Sequence, residues 1–317
     1  MKRKIAIICG GPSSEHEVSL QTGKMIANNL SQEKYEIELL EISKDGLWQF
    51  GSDSFPLVEA LRELKARKFN LVFIALHGTF GEDGHLQAML DSIDLPYTGS
   101  NMLASAMAMD KNISNILFKQ AGVAVPKYQV ISKINDSIDI SLPFVIKPLD
   151  GGSSIGVTIV KKESEIKEAL KSAFNQSQKV MAQRYINGRE FTCAILDNIE
   201  GDPIALSPIE IIPRVSSFFD YEAKYEDGGS EEIINPEIGT GKLKELQDLA
   251  LKAHNVLGCS GMSRTDFMEE GGKFYIIETN TIPGMTKNSL LPKAAKGSNI
   301  ELEEVLNLII NSALINK

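Results

Sequence analysis

Residues 261–286 read GMSRTDFMEEGGKFYIIETNTIPGMT, and this stretch determines how the rest of the chain is interpreted. Two apolar runs flank Gly271 and Gly272, which predicts a β-hairpin that turns at the two glycines. Side chains alternate across a strand, so Arg264 and Asp266 are expected on one face of the first arm. The hairpin therefore carries charged side chains within otherwise apolar strands.

Three oxygen-bearing side chains of this hairpin are predicted to converge. Glu278 and Asn280 share one face of the second strand, and Asp266 falls opposite residues 276–278. Two carboxylates and an amide oxygen are hard ligands that suit Mg²⁺ shared with a nucleotide phosphate, whereas zinc or copper would favour His or Cys. A solvated strand face with chance charges is the alternative. It is less favoured because unpaired carboxylates are costly to bury inside apolar strands.

Composition and charge are those of an ordinary globular protein. The 317 residues suffice for two or three domains, and the net charge of −9 gives no basic surface for nucleic acid. Cys9, Cys193 and Cys259 are widely spaced, which argues against a disulfide framework or a structural zinc site. The first apolar run is too short for a signal-peptide core, and no run approaches the roughly 18 residues that cross a membrane. We expect a cytoplasmic protein with no membrane or nucleic-acid partner.

The first hundred residues predict a parallel α/β unit. Residues 5–9 and 71–76 are continuous apolar runs typical of buried parallel strands, and each ends in a Gly-rich loop. A helix is predicted after the first loop, where Ser14 and Glu17 have the spacing of a capping box. The glycines of this loop have neither the dinucleotide nor the P-loop spacing. We place the first domain boundary after residue 99.

Two polar residues follow these strands directly. Glu15 lies in the first loop, where a carboxylate can meet a ligand ammonium. An acid favoured by the helix dipole is an equally good interpretation of Glu15. His77 opens the loop HGTFGEDG, residues 77–84, whose glycines permit close approach, although a lone His is more often structural.

The middle of the chain predicts a phosphate-binding loop. An apolar strand that carries Lys147 is followed by the loop LDGGSSIGV, residues 149–157, and by a second strand at 158–160. Its successive backbone N–H groups and hydroxyls can form a nest for phosphate oxygens, and Lys147 would add a charge. A hairpin loop with no ligand is the alternative. Lys111 interrupts a helical stretch at residues 102–122 and is by default a surface lysine.

The last third contains two predicted helices and a segment without periodicity. Residues 243–257 and 302–314 have the pattern of amphipathic helices. Residues 214–230 are aromatic and charged, contain Gly228 and Gly229, and follow no period. Such a segment is typical of a lid over a functional site.

Taken together, these segments resemble one family over nearly the whole chain, the D-alanine–D-alanine ligases of the ATP-grasp superfamily. The matching segments are GGPSSEHEVS at 10–19, the loop at 77–84, MAMDK at 107–111, KPLDGGSSIG at 147–156, YEAKY at 221–225, Arg264-x-Asp266, and ETNTIPGMT at 278–286. Single pieces such as Gly-Gly-Ser-Ser are common in proteins. The ordered set is specific.

The resemblance implies an α/β, three-domain ATP-grasp fold with an N-terminal parallel-sheet α/β domain. It implies a substrate-binding domain at 1–99, a central ATP-grasp subdomain at 100–184, and a C-terminal subdomain at 185–317 with the lid and the metal site. The implied activity joins two D-alanines to D-alanyl-D-alanine through an acyl phosphate, for peptidoglycan precursor synthesis. The implied cofactors are ATP and two Mg²⁺ ions, which Mn²⁺ can replace, and the implied assembly is a homodimer.

Two alternatives remain at this stage. The first is an ATP-grasp ligase that makes D-alanyl-D-lactate or another dipeptide. The second is a non-catalytic ATP-binding module, which would be expected to lack Arg264, Asp266 or Lys224, yet all three are present. Tyr225 favours D-alanine over D-lactate as acceptor, because a neutral phenol does not repel an incoming ammonium.

The resemblance also implies roles for individual residues. For ATP, it implies that Lys111, Lys147 and Lys224 contact phosphates, Ser153 and Ser154 belong to the phosphate loop, Gln183 and the backbone of Ile186 contact adenine, and Glu190 contacts ribose. Asp266, Glu278 and Asn280 match the residues that hold the metal ions. Gln183 departs from the Glu that is frequent in the family. An amide oxygen can still accept a hydrogen bond from the adenine amino group, but we expect a weaker grip.

Further implied roles concern the amino-acid substrates. Glu15 would hold the first ammonium, Ser289 the second carboxylate, and Arg264 with the Gly284 N–H the oxyanion. Glu15, Ser153 and Tyr225 would form a hydrogen-bonded link that closes the lid, with His77 close by.

Overall fold

The computed structural model describes residues 2–152, 155–214 and 229–315, and these form three β-sheets with helices packed on them. In chain order the strands are β1 Arg3–Gly10, β2 Tyr35–Ile42, β3 Trp48–Phe50, β4 Asp53–Phe55, β5 Leu71–Ile74, β6 Tyr128–Ile131, β7 Phe144–Pro148, β8 Thr158–Val160, β9 Val180–Arg184, β10 Arg189–Asp197, β11 Pro203–Ala205, β12 Ile209–Pro213, β13 Ser230–Ile234, β14 Met262–Glu270 and β15 Lys273–Asn280.

The helices confirm the predicted helical segments. They are α1 His16–Asn29, α2 Leu57–Ala66, α3 His85–Ser92, α4 Met102–Met109, α5 Lys111–Gln120, α6 Ile166–Phe174, α7 Thr240–Leu257, α8 Leu290–Gly297 and α9 Leu302–Ile315, with a 3₁₀ turn at Glu163–Glu165. In the described part of the chain, no helix is long and apolar enough to cross a membrane.

The first sheet has the predicted parallel centre. Its strand order is β4-β3-β2-β1-β5, and β1 runs parallel to both β2 and β5. Residues 5–9 of β1 have no exposed surface, as expected of a strand covered on both faces. The loops after β1 and β5 therefore leave the same edge of the sheet.

The capping box predicted from Ser14 and Glu17 is wrong. Helix α1 begins at His16, and Glu15 at the cap position makes no side-chain capping hydrogen bond. Ser13 ties the loop down instead: its Oγ accepts from the Glu15 N–H at 3.2 Å and donates to the backbone oxygen of His77 at 2.6 Å. This long-range contact joins the loops after β1 and β5.

The second sheet is antiparallel, with the strand order β6-β9-β7-β8. The predicted phosphate loop joins β7 to β8, as the sequence indicates. Before this sheet, the predicted helical stretch is split in two at Asp110. Its carboxylate accepts from the N–H groups of Asn112 and Ile113 at 2.8 and 3.0 Å, which caps α5 and places Lys111 at the first position of that helix.

The third sheet carries the hairpin. Its order is β13-β12-β10-β14-β15, with β11 paired to β10. Helix α7 covers one face, where Leu246 and Leu257 join Phe191 and Phe267 in one buried cluster. The hairpin is thus held on a rigid sheet.

One continuous core connects the first and third sheets. It joins residues of β1 and β5, such as Ile7 and Phe73, to Leu196 of β10 and to Leu291 and Ile309 of α8 and α9. The second sheet has a separate core. The division at residues 99/100 and 184/185 stays a prediction; these points lie between β5 and β6 and between β9 and β10.

Candidate active site

The hairpin of β14 and β15 turns at the predicted glycines, and the partner of Asp266 lies within the predicted range, residues 276–278. Asp266 pairs with Glu278 and Arg264 with Asn280, and the register shifts between Asp266 and Phe267. Opposed residues of an antiparallel pair point to the same face, so the four polar side chains lie together. The irregularity next to Asp266 is of the kind that often adjoins functional sites.

The carboxylate of Asp266 is held by three neighbouring side chains. Arg264 donates from Nε to Oδ1 at 2.9 Å and from Nη2 to Oδ2 at 2.8 Å. Thr192 of the adjacent strand donates to Oδ1 at 2.6 Å, and the Asn280 amide lies 3.3 Å from Oδ2. Asp266 is only 8 % exposed, so these contacts fix a buried charge in place.

The chemistry of this donor set fits a hard divalent cation. Asp266 and Glu278 line one cavity, and the amide of Asn280 is next to Asp266. Within the described ranges no three His, Cys, Asp or Glu side chains form a group that could hold a metal ion. The candidate set consists of two carboxylates and an amide, all offering the oxygen ligands that Mg²⁺ takes. Its role as a metal site stays a prediction.

A cavity of about 430 Å³ lies between the second and third sheets. Five predicted nucleotide-binding residues line it together with Asp266 and Glu278, namely Lys111, Lys147, Gln183, Ile186 and Glu190. Apolar side chains complete its walls, among them Val145, Ile159, Ile211 and Met268. A cavity that combines apolar walls with several charged and polar groups suits a base and its phosphates.

The two lysines of the cavity differ in their surroundings. Nζ of Lys111 donates to the backbone oxygen of Gly151 at 2.7 Å and lies 3.3 Å from Oε2 of Glu278. Burial lowers the pKa of Lys147 from 10.5 to about 8, the Glu278 charge opposing the shift and Lys111 adding to it. Both lysines thus lie near the carboxylate of Glu278.

Two ion pairs that the sequence did not predict frame this cavity. Arg189 donates to both carboxylate oxygens of Glu210 at 2.6 Å each, a bidentate pair between β10 and β12. Nη1 of Arg184 donates to Glu270 at 2.8 Å, which joins the end of β9 to the end of β14. The first pair lies within the third sheet, whereas the second holds the rims of the second and third sheets together.

A second group of polar residues centres on Glu15. A Cβ added at Gly78 would lie 2.9 Å from Oε2 of Glu15, and one added at Gly152 would lie 3.1 Å from the same oxygen. The Glu15 carboxylate therefore packs against the loop after β5 and against the predicted phosphate loop. The loops of the first and second sheets meet at this residue.

His77 and Glu82 join the loop after β5 to the end of the hairpin. His77 Nδ1 lies 3.2 Å from the backbone oxygen of Ile282, and Nε2 lies 2.9 Å from Oγ1 of Thr22. Since a carbonyl only accepts, Nδ1–H donates to Ile282 and Nε2 accepts from Thr22. Burial lowers the pKa of His77, against the opposing charge of Glu15, so the neutral ring is favoured.

Glu82 makes a parallel connection. Its two carboxylate oxygens accept from the N–H groups of Gly78 at 2.8 Å and Ile282 at 3.1 Å. Burial, with the nearby Glu15 charge, raises the pKa of Glu82 to about 8. The sequence assigned Glu82 no role, since a single Glu in a Gly-rich loop has no pattern that marks it.

Comparison with protein families accounts for both halves of the chain. The model of the D-ala D-ala ligase C-terminus matches residues 117–311, and that of the D-ala D-ala ligase N-terminus matches 4–63 and 53–100. The chain belongs to the D-alanine–D-alanine ligase family. A D-alanine–D-alanine ligase of Leptospira interrogans is 37 % identical over 98 % of both chains.

Solved structures of the family have the same fold. The VanG D-Ala:D-Ser ligase from Enterococcus faecalis superposes with a TM-score of 0.86 at 32 % identity, covering 99 % of this chain and 100 % of that one. The ATP complex of the Bacillus anthracis D-alanine–D-alanine ligase gives 0.83 at 35 % identity, covering 100 % and 98 %. The three-sheet α/β architecture is therefore the ATP-grasp fold expected of a D-alanine–D-alanine ligase.

In this member of the D-alanine–D-alanine ligase family, the end of the hairpin leads to Ser289. Oγ of Ser289 accepts from the Thr286 N–H at 3.0 Å and lies 2.8 Å from the Thr286 hydroxyl. A Cβ added at Gly284 would lie 2.7 Å from the same Oγ. The absence of a side chain at Gly284 is thus what allows Ser289 its position.

Four of the predicted site residues of this ligase lie outside the described residues: Ser153, Ser154, Lys224 and Tyr225. Most of the predicted lid, residues 215–228, lies outside them as well. The roles of these residues stay predictions from the sequence.

Proposed function

We propose that the protein ligates two molecules of D-alanine to D-alanyl-D-alanine with ATP, releasing ADP and phosphate, for peptidoglycan precursor synthesis in the cytoplasm. Membership of the D-alanine–D-alanine ligase family supports the reaction. The observation that carries it is one cavity lined by Lys111, Lys147, Asp266 and Glu278, in which Nζ of Lys111 lies 3.3 Å from Oε2 of Glu278. Opposite charges in this arrangement suit a polyphosphate with Mg²⁺.

The nucleotide would occupy the cavity between the second and third sheets. The base would lie among Val145, Ile159 and Met268, with Gln183 and the backbone of Ile186 at its edge, and Glu190 would take the ribose hydroxyls. Lys111, Lys147 and Lys224 would contact the phosphates, and Ser153 and Ser154 would complete their loop. Asp266, Glu278 and Asn280 would hold two Mg²⁺ ions, or Mn²⁺, which when bound neutralise charge on the phosphoryl oxygens.

The first step forms an acyl phosphate. The ammonium of the first D-alanine would pair with Glu15, which packs against the phosphate loop at Gly152. That placement brings the substrate carboxylate toward the γ-phosphate, where one of its oxygens attacks phosphorus and ADP leaves. Holding the two reactants in contact is a large part of the catalysis, since little covalent chemistry is required of the protein.

The second step forms the peptide bond. Ser289 would hold the carboxylate of the second D-alanine, whose free amine attacks the activated carbonyl carbon. Arg264 and the Gly284 N–H would stabilise the tetrahedral oxyanion, and phosphate then leaves and takes up the proton that the amine nitrogen loses. Removing one such donor typically costs about 10²- to 10³-fold in turnover. Glu15, Ser153 and Tyr225 would close the lid against water, which would otherwise hydrolyse the acyl phosphate.

A phosphate-release assay with Mg²⁺ and ATP tests the proposal. D-alanine alone should support release and yield D-alanyl-D-alanine by mass, whereas L-alanine should not. D-lactate or D-serine added with D-alanine tests the other acceptors. An excess of the mixed product over D-alanyl-D-alanine would mean that the added molecule, and not D-alanine, is the preferred acceptor. The proposal includes the homodimer that the resemblance implies, and light scattering tests it.

A further inference from the structure

Gln183 occupies a distinct place in the cavity. It lies near the end of β9, opposite Tyr128 of β6 and Val145 of β7. It is 3 % exposed and lines the cavity together with Val145 and Lys147. Because opposed residues in an antiparallel sheet share a face, the amide, the apolar wall and the lysine belong to one surface.

The amide of Gln183 has a donor that the protein does not use. Its Nε2 is buried and has no hydrogen-bond partner among the described residues. A buried donor without an acceptor is unfavourable, and native proteins rarely leave one unless a ligand or water completes it. The last torsion of a glutamine is soft, so the amide can turn toward a ligand in the cavity.

A primary amide offers a ligand more kinds of hydrogen-bonding group than a carboxylate does. A carboxylate only accepts hydrogen bonds, whereas an amide presents an acceptor and two donors side by side. The Hoogsteen edge of adenine presents the matching pair, the 6-amino donor next to the N7 acceptor, and Gln pairs with it through two hydrogen bonds. A 6-oxopurine offers two acceptors at that edge, so an amide satisfies only one of them.

We propose that Gln183 recognises the base of the nucleotide at two positions, accepting from the 6-amino group through Oε1 and donating to N7 through Nε2. This inference rests on the proposed function, since it assigns the cavity to an adenine nucleotide. It differs from the expectation of weaker adenine binding, because a Gln in place of Glu removes a charge but adds a hydrogen-bond donor. Gln183 is thereby a specificity-determining residue that reads N7, which a carboxylate at this position does not.

Calorimetric titration with ADP and with 7-deaza-ADP tests the assignment, since the two differ by replacement of N7 with a C–H group. Wild-type protein should bind 7-deaza-ADP about tenfold more weakly, which corresponds to one lost hydrogen bond. Gln183→Glu should bind the two nucleotides within about twofold of each other or prefer 7-deaza-ADP. Gln183→Met, which has a similar shape and neither polar atom, should also lose the distinction.

The outcomes separate this inference from the proposed function. Equal binding of both nucleotides by wild-type protein overturns the N7 contact while leaving the ligase assignment intact. The same tenfold preference in Gln183→Glu also overturns it and assigns N7 to another donor such as Lys147. Failure of wild-type protein to bind ADP at all, with no D-alanine-dependent phosphate release, overturns the proposed function and this inference with it.

Discussion

Nζ of Lys111 lies 3.3 Å from Oε2 of Glu278, so a lysine of α5 and a carboxylate of β15 meet across the cavity. Neither side chain is more than about a quarter exposed, at 10 % and 22 %, and screening by water is correspondingly limited. In the proposed complex Lys111 would contact phosphate and Glu278 would contact Mg²⁺. Binding of the metal nucleotide would therefore exchange one set of charge pairs for another.

This exchange predicts that Glu278→Gln strengthens nucleotide binding in the absence of metal. The variant removes a negative charge beside the phosphates and releases Lys111 to pair with them. With EDTA present, we expect ADP to bind about threefold to tenfold more tightly than to wild-type protein. With saturating Mg²⁺ and ATP, turnover should fall at least about a hundredfold, because a metal ligand is lost. Calorimetry and phosphate release measure the two effects.

Asn280→Ala is the matched control, since it removes a predicted ligand without changing charge. Its metal-free ADP binding should equal that of wild-type protein, while its turnover with Mg²⁺ should fall as in Glu278→Gln. Near-wild-type turnover in both variants would remove the metal assignment. Circular dichroism of both variants checks that the hairpin still folds.

The hairpin could be predicted because its determinants are local. Two glycines between apolar runs set the turn and place Asp266 opposite residues 276–278. The register shift next to Asp266, which the sequence did not predict, then makes Glu278 its partner. The parallel strands β1 and β5 were predictable for a similar reason, as uninterrupted apolar runs. The same local reasoning failed at the start of α1, where Ser13 bonds to His77, 64 positions away, and no capping box forms.

The sequence pattern could not predict contacts between segments that are distant along the chain. The Glu82 carboxylate bridges Gly78 and Ile282, yet a single Glu in a Gly-rich loop has no periodicity that distinguishes it from a solvated one. The pair Arg184–Glu270 likewise depends on how two sheets approach each other, and the pair Arg189–Glu210 depends on β12 being the neighbour of β10. The sequence identified the residues that match the family's motifs, but it did not identify the side chains that hold those residues in place.

The lowered pKa of Lys147 predicts that the use of ATP depends on pH. Burial lowers its pKa to about 8, and a lysine is charged below its pKa. The free protein therefore loses this phosphate-binding charge as the pH rises through 8. We expect kcat/KM for ATP, measured at saturating D-alanine, to decline above about pH 8 toward a tenfold loss per pH unit.

Lys147→Arg separates this charge from other groups that titrate in the same range. A guanidinium stays protonated throughout, so the decline in kcat/KM for ATP should move to higher pH even if the variant is slower at pH 7. A decline at the same pH in both proteins would assign it to another group.

His77 is predicted to act by joining the first sheet's loop to the hairpin and not by carrying charge. Asn places an amide N–H near the position of Nδ1 and so keeps a donor for the Ile282 oxygen, whereas Gln reaches toward Thr22 and keeps only that contact. We expect His77→Gln to raise KM for the first D-alanine about tenfold and His77→Asn to raise it less, with KM for ATP unchanged in both.

The pH profile supplies the second measurement for His77. Because burial lowers its pKa, the wild-type protein and His77→Asn should show the same profile of kcat/KM for D-alanine between pH 6 and 8. A limb present in wild-type protein and lost in His77→Asn would contradict the neutral role.

Substitutions at Gly284 and Ser289 are predicted to have non-additive effects on KM for the acceptor D-alanine. A Cβ at position 284 would lie 2.7 Å from Oγ of Ser289 but 3.5 Å from its Cβ, so the conflict is with the hydroxyl alone. Gly284→Ala should displace that hydroxyl and raise KM for the acceptor D-alanine about tenfold, and Ser289→Ala should do so by removing it. The double variant should be no worse than Ser289→Ala, since the atom that Gly284→Ala displaces is already gone. Saturation kinetics in D-alanine for all four proteins measure the coupling. If the two losses multiply instead, Gly284 acts independently of Ser289, as it would if its N–H position at the oxyanion were what the added methyl group disturbs.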